Sequence, residues 1–574
     1  MVISNDPNMF SATVSTPLME DKIVDGFVDS RGQPASRATS GGWKAACFVI
    51  VVEVAERFSY YGVSSNLITY LTGPLGQSTA TAAENVNIWF GTGALLPLLE
   101  AFIADSLLGR YRSIIVASII YILGLGLLSF TAVLTSLQVS HLQDIKDAKS
   151  QSPGFRVILF FFSIYLVAVG QGGHKPCVQA FGADQFDGQD PKESKEKNSF
   201  FNWWYFFSSM GINVSLTVLV YIQENLNWAL GFGIPCIMML AALFVLLLGS
   251  RTYRYNVKKS EGNSLMKIGR LIGKAIRNRN ATPSAMATEY EAKQYCQTPQ
   301  QFKFLNKALF EPEGSMEGRN VFTVHDVEQT KSLLRLIPIW VTSLIYAIVF
   351  AQTSTVFTKQ GATMDRNIFP GFKIPAASLQ FFIGIAILLC VPMYDRIFVP
   401  VAQSLTGKPS GITMLQRIGF GMVLSTLSMV TAALVEMKRL ETAKEYGIID
   451  LPNVTVPISV WWLVPQYLLC GAADVFTIVG LQEFFYDQVP KDLRSMGLSL
   501  YLSVIGVGSL LSSLLVSIID KTTGTDGRDS WFANNLNRAH IDYYYWLLAG
   551  LSAVGFTAFL YFARSYVYSR GSIS

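Results

Sequence analysis

Apolar runs long enough to cross a bilayer recur along this chain, separated by shorter polar stretches. They fall near 45–71, 85–105, 113–136, 155–179, 199–222, 227–249, 333–357, 375–395, 413–435, 458–482, 496–518 and 543–564. A hydrocarbon core about 30 Å thick needs about 20 residues of helix, so each run predicts one spanning helix. Twelve such helices predict an all-α membrane protein, because a helix satisfies its own backbone polar groups in lipid. The runs divide six and six around a polar stretch. The expected organisation is a disordered tail (1–42), a six-helix half (43–249), a basic linker (250–330), a second six-helix half (331–565) and a short tail (566–574). The first tail is rich in Ser, Asp and Gly and lacks an apolar core ahead of a small-residue cleavage site. It does not read as a signal peptide, so the first span is expected to direct insertion.

Charge sets the orientation. Arg251–Arg279 carries nine Lys or Arg against one acid, Glu261. The positive-inside rule puts this segment in the cytoplasm, and with twelve spans both termini follow it there. The basic loop Gly109-Arg110-Tyr111-Arg112 falls on the same side, and the uncharged loop 73–81 on the other. Leu265, Ile268, Leu271, Ile272 and Ala275 recur at helical spacing inside the basic segment. Two readings stand: a charged linker that fixes topology, or a helix lying on lipid. Asn453-Val454-Thr455 is a glycosylation acceptor sequence in a loop expected outside or in a lumen. Plasma membrane and vacuolar membrane are not separated by these features.

Charged residues at membrane depth carry the chemistry. Glu53-Val54-Ala55-Glu56-Arg57 lies inside the first span. Charges there persist only if they pair, face a wet cavity or change protonation state. Glu53 and Arg57 are four apart and share a helix face, while Glu56 points to a neighbouring face. Two titratable acids beside one permanent cation suit a proton-coupled carrier of an anion or zwitterion. Tyr60 and Tyr61, one turn on, would line the same cavity. Lys175, in Gly170-Gln171-Gly172-Gly173-His174-Lys175-Pro176, needs an anionic partner. Asp474, in the tenth span, has no adjacent base, and a pair across the bundle with Lys175 is the expected solution. Glu100 and Glu483 read as interfacial charges. For His174, whose charged form Lys175 disfavours, no direct proton role is expected.

Composition narrows the function classes. The chain has 574 residues, 51% hydrophobic and 15% charged, against about 25% charged in soluble domains. Its net charge of +5 is concentrated in the linker, so nucleic acid is not an expected partner. Cys47, Cys177, Cys236, Cys390 and Cys470 read as buried thiols, with Cys296 in a polar loop. No metal cluster, nucleophile–base arrangement or phosphate loop is apparent, so neither a cofactor nor an enzymatic reaction is expected. The expected partners are a small-molecule substrate, protons and the lipid bilayer.

The Glu-x-x-Glu-Arg motif continues as Phe58-Ser59-Tyr60-Tyr61-Gly62. Gly182-Ala183-Asp184-Gln185-Phe186-Asp187, Phe200-Phe201-Asn202-Trp203, Leu415-Gln416-Arg417-Ile418-Gly419 and Pro465-Gln466-Tyr467 accompany it. With these motifs the chain resembles the proton-coupled oligopeptide transporter family, specifically its plant nitrate and peptide transporter branch, from Gly42 to about Ser565. The resemblance implies a major-facilitator fold of two six-helix halves with alternating access. It implies proton coupling at Glu53, Glu56 and Arg57, and a gating pair of Lys175 with Asp474. Substrate contacts would come from Arg57, Tyr60, Tyr61, Lys175, Phe350 and Asp474. Three departures stand out. The tenth-helix acid is usually Glu, so Asp474 is one methylene short. An Arg–Glu outer gate of peptide-selective members is replaced by Ser64 and Ala351. The seventh-helix His of a nitrate-transporting type is replaced by Phe350. Ser113 matches a hydroxyl phosphorylated in some relatives. The expected function is proton-coupled symport of a small anion or zwitterion, nitrate or a di- or tripeptide first. A hormone or specialised-metabolite transporter and a transporter-like sensor are the alternatives.

Overall fold

The computed structural model of the protein describes residues 23–103, 108–141, 153–256, 264–278, 302–309, 322–407, 412–490, 494–524 and 529–566. Helices follow the apolar runs. In chain order, α1 (Gly42–Ser64) resumes after a short break as α2 (Leu67–Thr72), and α3 is Thr79–Ile103, α4 Arg110–His141 and α5 Pro153–Ala183. Then α6 (Pro191–Val214) runs through a π-helical turn into α7 (Val220–Asn225), and α8 is Trp228–Leu248. Beyond the linker helix α9 (Ser264–Arg277) come α10 (Val324–Phe350), α11 (Val356–Ala362), α12 (Phe381–Met393) and α13 (Val399–Thr406). The last are α14 (Met414–Glu445), α15 (Val464–Asp487), α16 (Arg494–Thr523) and α17 (Ile541–Ser565).

Among the described residues, ten helical segments are long and apolar enough to cross a membrane. Of the twelve expected runs, the remaining two are the α1 and α3 regions. Glu53, Glu56 and Arg57 interrupt the first, and Glu84, Asn85, Asn87 and Glu100 dilute the second. The architecture is that of a multi-pass membrane protein, compatible with twelve spans.

Local sequence explains the helix ends. Asp190 accepts from the Glu193 N–H at 3.0 Å and precedes Pro191, so α6 starts there. Reciprocal caps, Thr323 with Asp326 and Thr413 with Gln416, start α10 and α14. The α1/α2 break at Ser65-Asn66 has a counterpart six spans on, where α10 gives way to a 3-10 turn, Ala351–Ser354, before α11. Interrupted helices in corresponding positions of two halves are a transporter feature. The carbonyl freed at Ser65 accepts from Gln380 Nε2 at 3.1 Å.

Internal contacts divide the chain into two compact units; one cut falls in the linker, but two segments that precede it, Val63–Leu98 and Leu216–Leu226, group with the residues beyond it. The first holds the described residues up to Gly62, with Leu99–Ser215 and Asn227 onward to Asn256. The second holds Val63–Leu98, Leu216–Leu226 and the described residues beyond the linker's start. In the first, α4 and α5 approach closely because Gly170 lies against the Tyr121 backbone and Gly124 against Val167. In the second, Gly421 against Thr477 and Gly471 against Ile383 play the same part.

Part of the expected disordered tail is ordered. Strands β1 (Ile23–Val28) and β2 (Pro34–Ser36) pair with each other, and β1 pairs with β3 (Tyr255–Asn256), which follows α8. An ionic clasp fastens this small sheet. Arg254 is only 1% exposed and grips Glu193 with two hydrogen bonds, at 2.6 and 3.0 Å. Its Nε donates to Ser40 O, and Gln185 Oε1 accepts from its backbone N–H. Gly41 adopts φ +77° beside the Arg254 guanidinium, where a Cβ would collide. Arg37 pairs with Asp187 at 2.6 Å. Arg254, read from sequence as one charge of a topology signal, is thus a buried structural residue.

The linker helix departs from the reading of a helix lying on lipid. Leu271 and Ala275 on α9 are buried with Leu305, Ala308, Phe322 and Val327, so protein rather than lipid covers that apolar face. Lys267 pairs with Asp326 at 2.7 Å and Lys274 lies over the Phe322 ring. Cys47, expected to be buried, is exposed. Residues 104–107, including Asp105, lie outside the described residues, as do Cys296 and Arg279.

Burial pushes the Asp187 carboxyl up. Hydrogen bonds from Arg37 and the Gln189 N–H, with the nearby charges of Arg37 and Arg254, outweigh burial and hold it below its ordinary value of 3.8. A depressed folded value contributes stability above the unfolded value that is lost as pH falls through the folded one. Asp187→Asn should therefore lower the unfolding temperature of detergent-solubilised protein at neutral pH. The gap to wild type should close as pH drops below 3.8. A gap that stays constant down to strong acid would show that the ion pair contributes nothing to the clasp.

Candidate functional site

Three residues on one turn of α1 form the centre of the first unit. Arg57 Nε lies 2.7 Å from Glu53 Oε1 and 3.5 Å from Glu56 Oε2. Both carboxylates are almost fully buried, whereas the Arg57 side chain is 20% exposed. The sequence reading set Glu56 on a neighbouring face. The long arginine side chain reaches across and meets both acids. Gly211 on α6 makes room for this: a Cβ there would come within 2.9 Å of Val54 O and 3.6 Å of Arg57 Cβ.

Lys175 on α5 lies within electrostatic reach of Arg57, Glu56 and Glu53. The structure therefore gathers two acids and two cations in one unit. Tyr60 and Tyr61 are half-buried one turn on, edge to face with centroids 5.6 Å apart, and Tyr61 is within electrostatic reach of Arg57.

The second unit assembles a different group. Asp474 on α15 accepts a short hydrogen bond from the Tyr346 hydroxyl on α10. Phe350 stacks on Tyr346 at 6.5 Å. Asp474 and Phe350 were expected from sequence; Tyr346 was missed. It lies four residues before Phe350 and so shares its helix face, a signal that was available. Lys175 and Asp474 belong to different units, and Asp474's hydrogen-bond partner within its own unit is Tyr346.

Ion pairs at the helix ends were also missed. Arg366 pairs with Glu224 at 2.9 Å, each largely buried. Lys359 Nζ donates to Thr72 Oγ1 at 3.1 Å in the same unit. These contacts tie α2 and α7 to α11 and to the antiparallel strand pair after it, Asn367–Phe369 with Phe372–Lys373. Ser64, one of the two replaced gate positions, is buried. At the end of α14, Arg439 is fully buried against Glu436, Asn537 Oδ1 and Leu536 O, with bonds of 2.6 to 2.9 Å. The sequence reading ended that span at 435 and so left the pair outside it.

Ser113 is 8% exposed and its hydroxyl is shielded, so it is not presented to a kinase in this conformation. Asn453 is exposed. Among the described residues no group of three or more His, Cys, Asp or Glu is placed to hold a metal. A cavity of about 660 Å³ lies between α1, α6 and α8, lined by Trp43, Cys47, Trp203, Phe207 and Met238 among others. Its lining is apolar throughout, and it lacks the charges of the Arg57 cluster.

Comparison with known proteins is consistent with these groups. A family model described as "PTR2: POT family" matches residues 111–532. "Protein NRT1/ PTR FAMILY 5.10" of Arabidopsis thaliana is 59% identical over 546 residues, covering 95% of this chain and 96% of that protein. "Protein NRT1/ PTR FAMILY 5.14" of the same plant is 56% identical, covering 97% and 99%. A crystal structure of an "auto inhibited POT family peptide transporter" superposes with TM-score 0.68 at 20% identity, over 92% of this chain and 98% of that one.

Removing Arg57 would leave two buried carboxylates with only the more distant Lys175 to offset them, and breaking a buried ion pair from one side costs about 3–5 kcal/mol. Arg57→Ala should lower the unfolding temperature clearly, and adding Glu53→Gln should recover part of the loss. Equal unfolding temperatures for wild type and Arg57→Ala would refute the electrostatic account of this turn.

Proposed function

The chain belongs to the POT family of membrane transporters, which are not enzymes, and on that premise we propose that it is a proton-coupled symporter of a small anion or zwitterion. Nitrate and di- or tripeptides are the first substrates to test. One observation carries this reading: Glu53, Glu56, Arg57 and Lys175 lie together. With both acids ionised, the charges of this group cancel. One added proton leaves a single positive charge, which a monoanion or a carboxylate terminus neutralises.

The proposed cycle follows from that balance. A proton arriving on Glu53 or Glu56 removes one partner of Arg57. The freed guanidinium, with Lys175, then holds a nitrate or carboxylate through charge-assisted hydrogen bonds. Tyr60 and Tyr61 border the cluster. The resemblance adds Asp474 and Phe350 to the substrate contacts, and in this structure Tyr346 is the hydrogen-bond partner of that Asp474. The resemblance further assigns Lys175 and Asp474 to a pair that breaks as substrate enters. Any monocarboxylate would suit the same cluster, so a hormone or specialised metabolite falls within this reading. The shielded Ser113 hydroxyl gives the sensor alternative no support.

Positive-inside orientation makes the Glu224–Arg366 end the outer or luminal side, of either the plasma or the vacuolar membrane. The two charges missing at Ser64 and Ala351 then have a substitute close by. We assign Arg366–Glu224, supported by Lys359–Thr72 and Gln380–Ser65, as the outer gate.

Uptake of labelled nitrate and of a labelled dipeptide in oocytes, at acidic and neutral external pH, tests the reading. Acid should stimulate uptake of one of them. Arg57→Ala should cut it about tenfold or more per molecule at the surface, since a hydrogen bond to a charged group is worth about 1.5–3 kcal/mol. Glu56→Gln should abolish the acid stimulation, and normal proton-driven uptake by that variant would sink the coupling role. For the gate, Arg366→Glu should reduce transport and Glu224→Arg in the same chain should restore much of it. No recovery in the double variant would mean the pair does not act as a gate.

A further inference from the structure

We propose that Arg335, in the first half of α10, anchors a phosphate-binding site in the second unit, at the end that the positive-inside orientation places on the cytoplasmic side. Sequence did not single this residue out, because an arginine near the end of an apolar run is ordinary. Its surroundings in the fold are not.

A cavity of about 220 Å³ lies between α10, the end of α17 and the linker. Its lining includes Arg335 and Pro338 on α10, Phe562, Ser565 and Tyr566 at the α17 end, and Phe302 in the linker. All of these belong to the second unit. Drug-sized ligands occupy about 300–1,000 Å³, so this cavity suits a small group. Ser565 is exposed, which opens one side of the cavity to water.

Arg335 is half-buried, and its Nε and Nη2 are shielded from solvent with no hydrogen-bond partner. Among the described residues no other arginine has two such nitrogens. An arginine that only snorkels keeps its charged head in water. One that only braces the fold has its donors met, as Arg254 and Arg439 do here. Nε and one Nη form an edge of the planar guanidinium that takes two oxygens of a single oxyanion. Arg439 uses that edge in this chain: Nε and Nη2 donate to the two carboxylate oxygens of Glu436 at 2.9 and 2.6 Å. Among the described residues no acid lines the Arg335 cavity. The Ser565 and Tyr566 hydroxyls donate to Phe562 O and Gln488 Oε1, so they form wall and leave Arg335 as the anchor.

The cytoplasmic leaflet presents anionic lipid headgroups at this level, and the arginine fork matches phosphate. Phosphate from solution reaches the same edge through the open side. Phe302 supplies a second observation. Its φ of +58° is, among the described residues, the one positive value outside glycine. The left-handed region is disfavoured for a bulky side chain, and residues held there gather at ligand clamps. Phe302 leads into the 3-10 turn Lys303–Leu309 and lines the cavity together with Arg335. A phosphate held by Arg335 lies between this turn, α10 and α17, and fastens the linker turn to both helices.

Full-length protein in detergent is titrated by calorimetry with inorganic phosphate, with phosphatidic acid, and with diacylglycerol, the same lipid without its phosphate. Saturable binding of inorganic phosphate marks a soluble source. Binding of phosphatidic acid without inorganic phosphate or diacylglycerol marks a lipid headgroup. Arg335→Ala should weaken either binding about tenfold or more, the scale of lost hydrogen bonds to a charged group. Arg335→Lys keeps the charge but not the fork and should lose nearly as much. Binding that survives Arg335→Ala belongs to another cation and overturns the site, and full affinity in Arg335→Lys overturns the two-oxygen edge. A wild type that binds neither inorganic phosphate nor phosphatidic acid overturns the site with no variant needed. Equal binding of both lipids, without inorganic phosphate, does the same.

Discussion

A charge in a bilayer is tolerable only while something opposite in charge sits beside it, and in this protein that condition converges on Arg57. Its guanidinium is the shared partner of Glu53 and Glu56 on the same helical turn. Neither carboxylate could stay ionised at that depth without it. The arginine cannot itself release a proton at accessible pH. All titration in the turn therefore falls on the acids, and every proton gained or lost there changes how many partners Arg57 has. On the proposed function, competition for this one cation would link protonation to anion binding.

The rest of each unit keeps that competition geometrically strict. Glycines bring helices close enough that side chains cannot slide out of register: Gly211 against α1, Gly170 and Gly173 against α4 and α3. At the linker end, Arg254 with Glu193 fastens a strand segment onto the first unit. Within the second unit, Arg439 with Glu436 fixes the loop after α16. Such pairs add little net stability over apolar packing, but breaking one side of them is costly. They act as fasteners that hold the helix ends.

The spans were legible because period and length of apolar runs leave few alternatives in a membrane protein. Glu53, Glu56, Arg57, Lys175 and Asp474 were legible for the same reason: charge at membrane depth stands out against its surroundings. What stayed hidden was partner choice. Tyr346 hides among ordinary aromatic residues, and only packing reveals that its hydroxyl reaches Asp474. Glu224 and Arg366 lie 142 residues apart near helix ends, where charges are common and carry no signal. The ordered strands at 23–36 were hidden because their stability comes from Arg254 and Asp187, far along the chain, and not from their own polar composition. The linker helix was half legible: its amphipathic period predicted an apolar face, but periodicity cannot say whether lipid or protein covers that face.

The proposed gate gives the departures from the family pattern a physical sense. Both charges of the usual outer gate are absent together, at Ser64 and Ala351, and a lone charge left at either place would have been a buried ion without a partner. In the proposed transporter closure would then come from elsewhere, and Arg366–Glu224 is the pair assigned to it above. Moving the gate charges away from the broken helices leaves the breaks at 65–66 and 351–355 lined by Ser, Asn, Gln and Thr. Neutral polar groups at that level discriminate weakly by charge. In the proposed function, selection for an anionic group would then rest on the Arg57 cluster of the first unit.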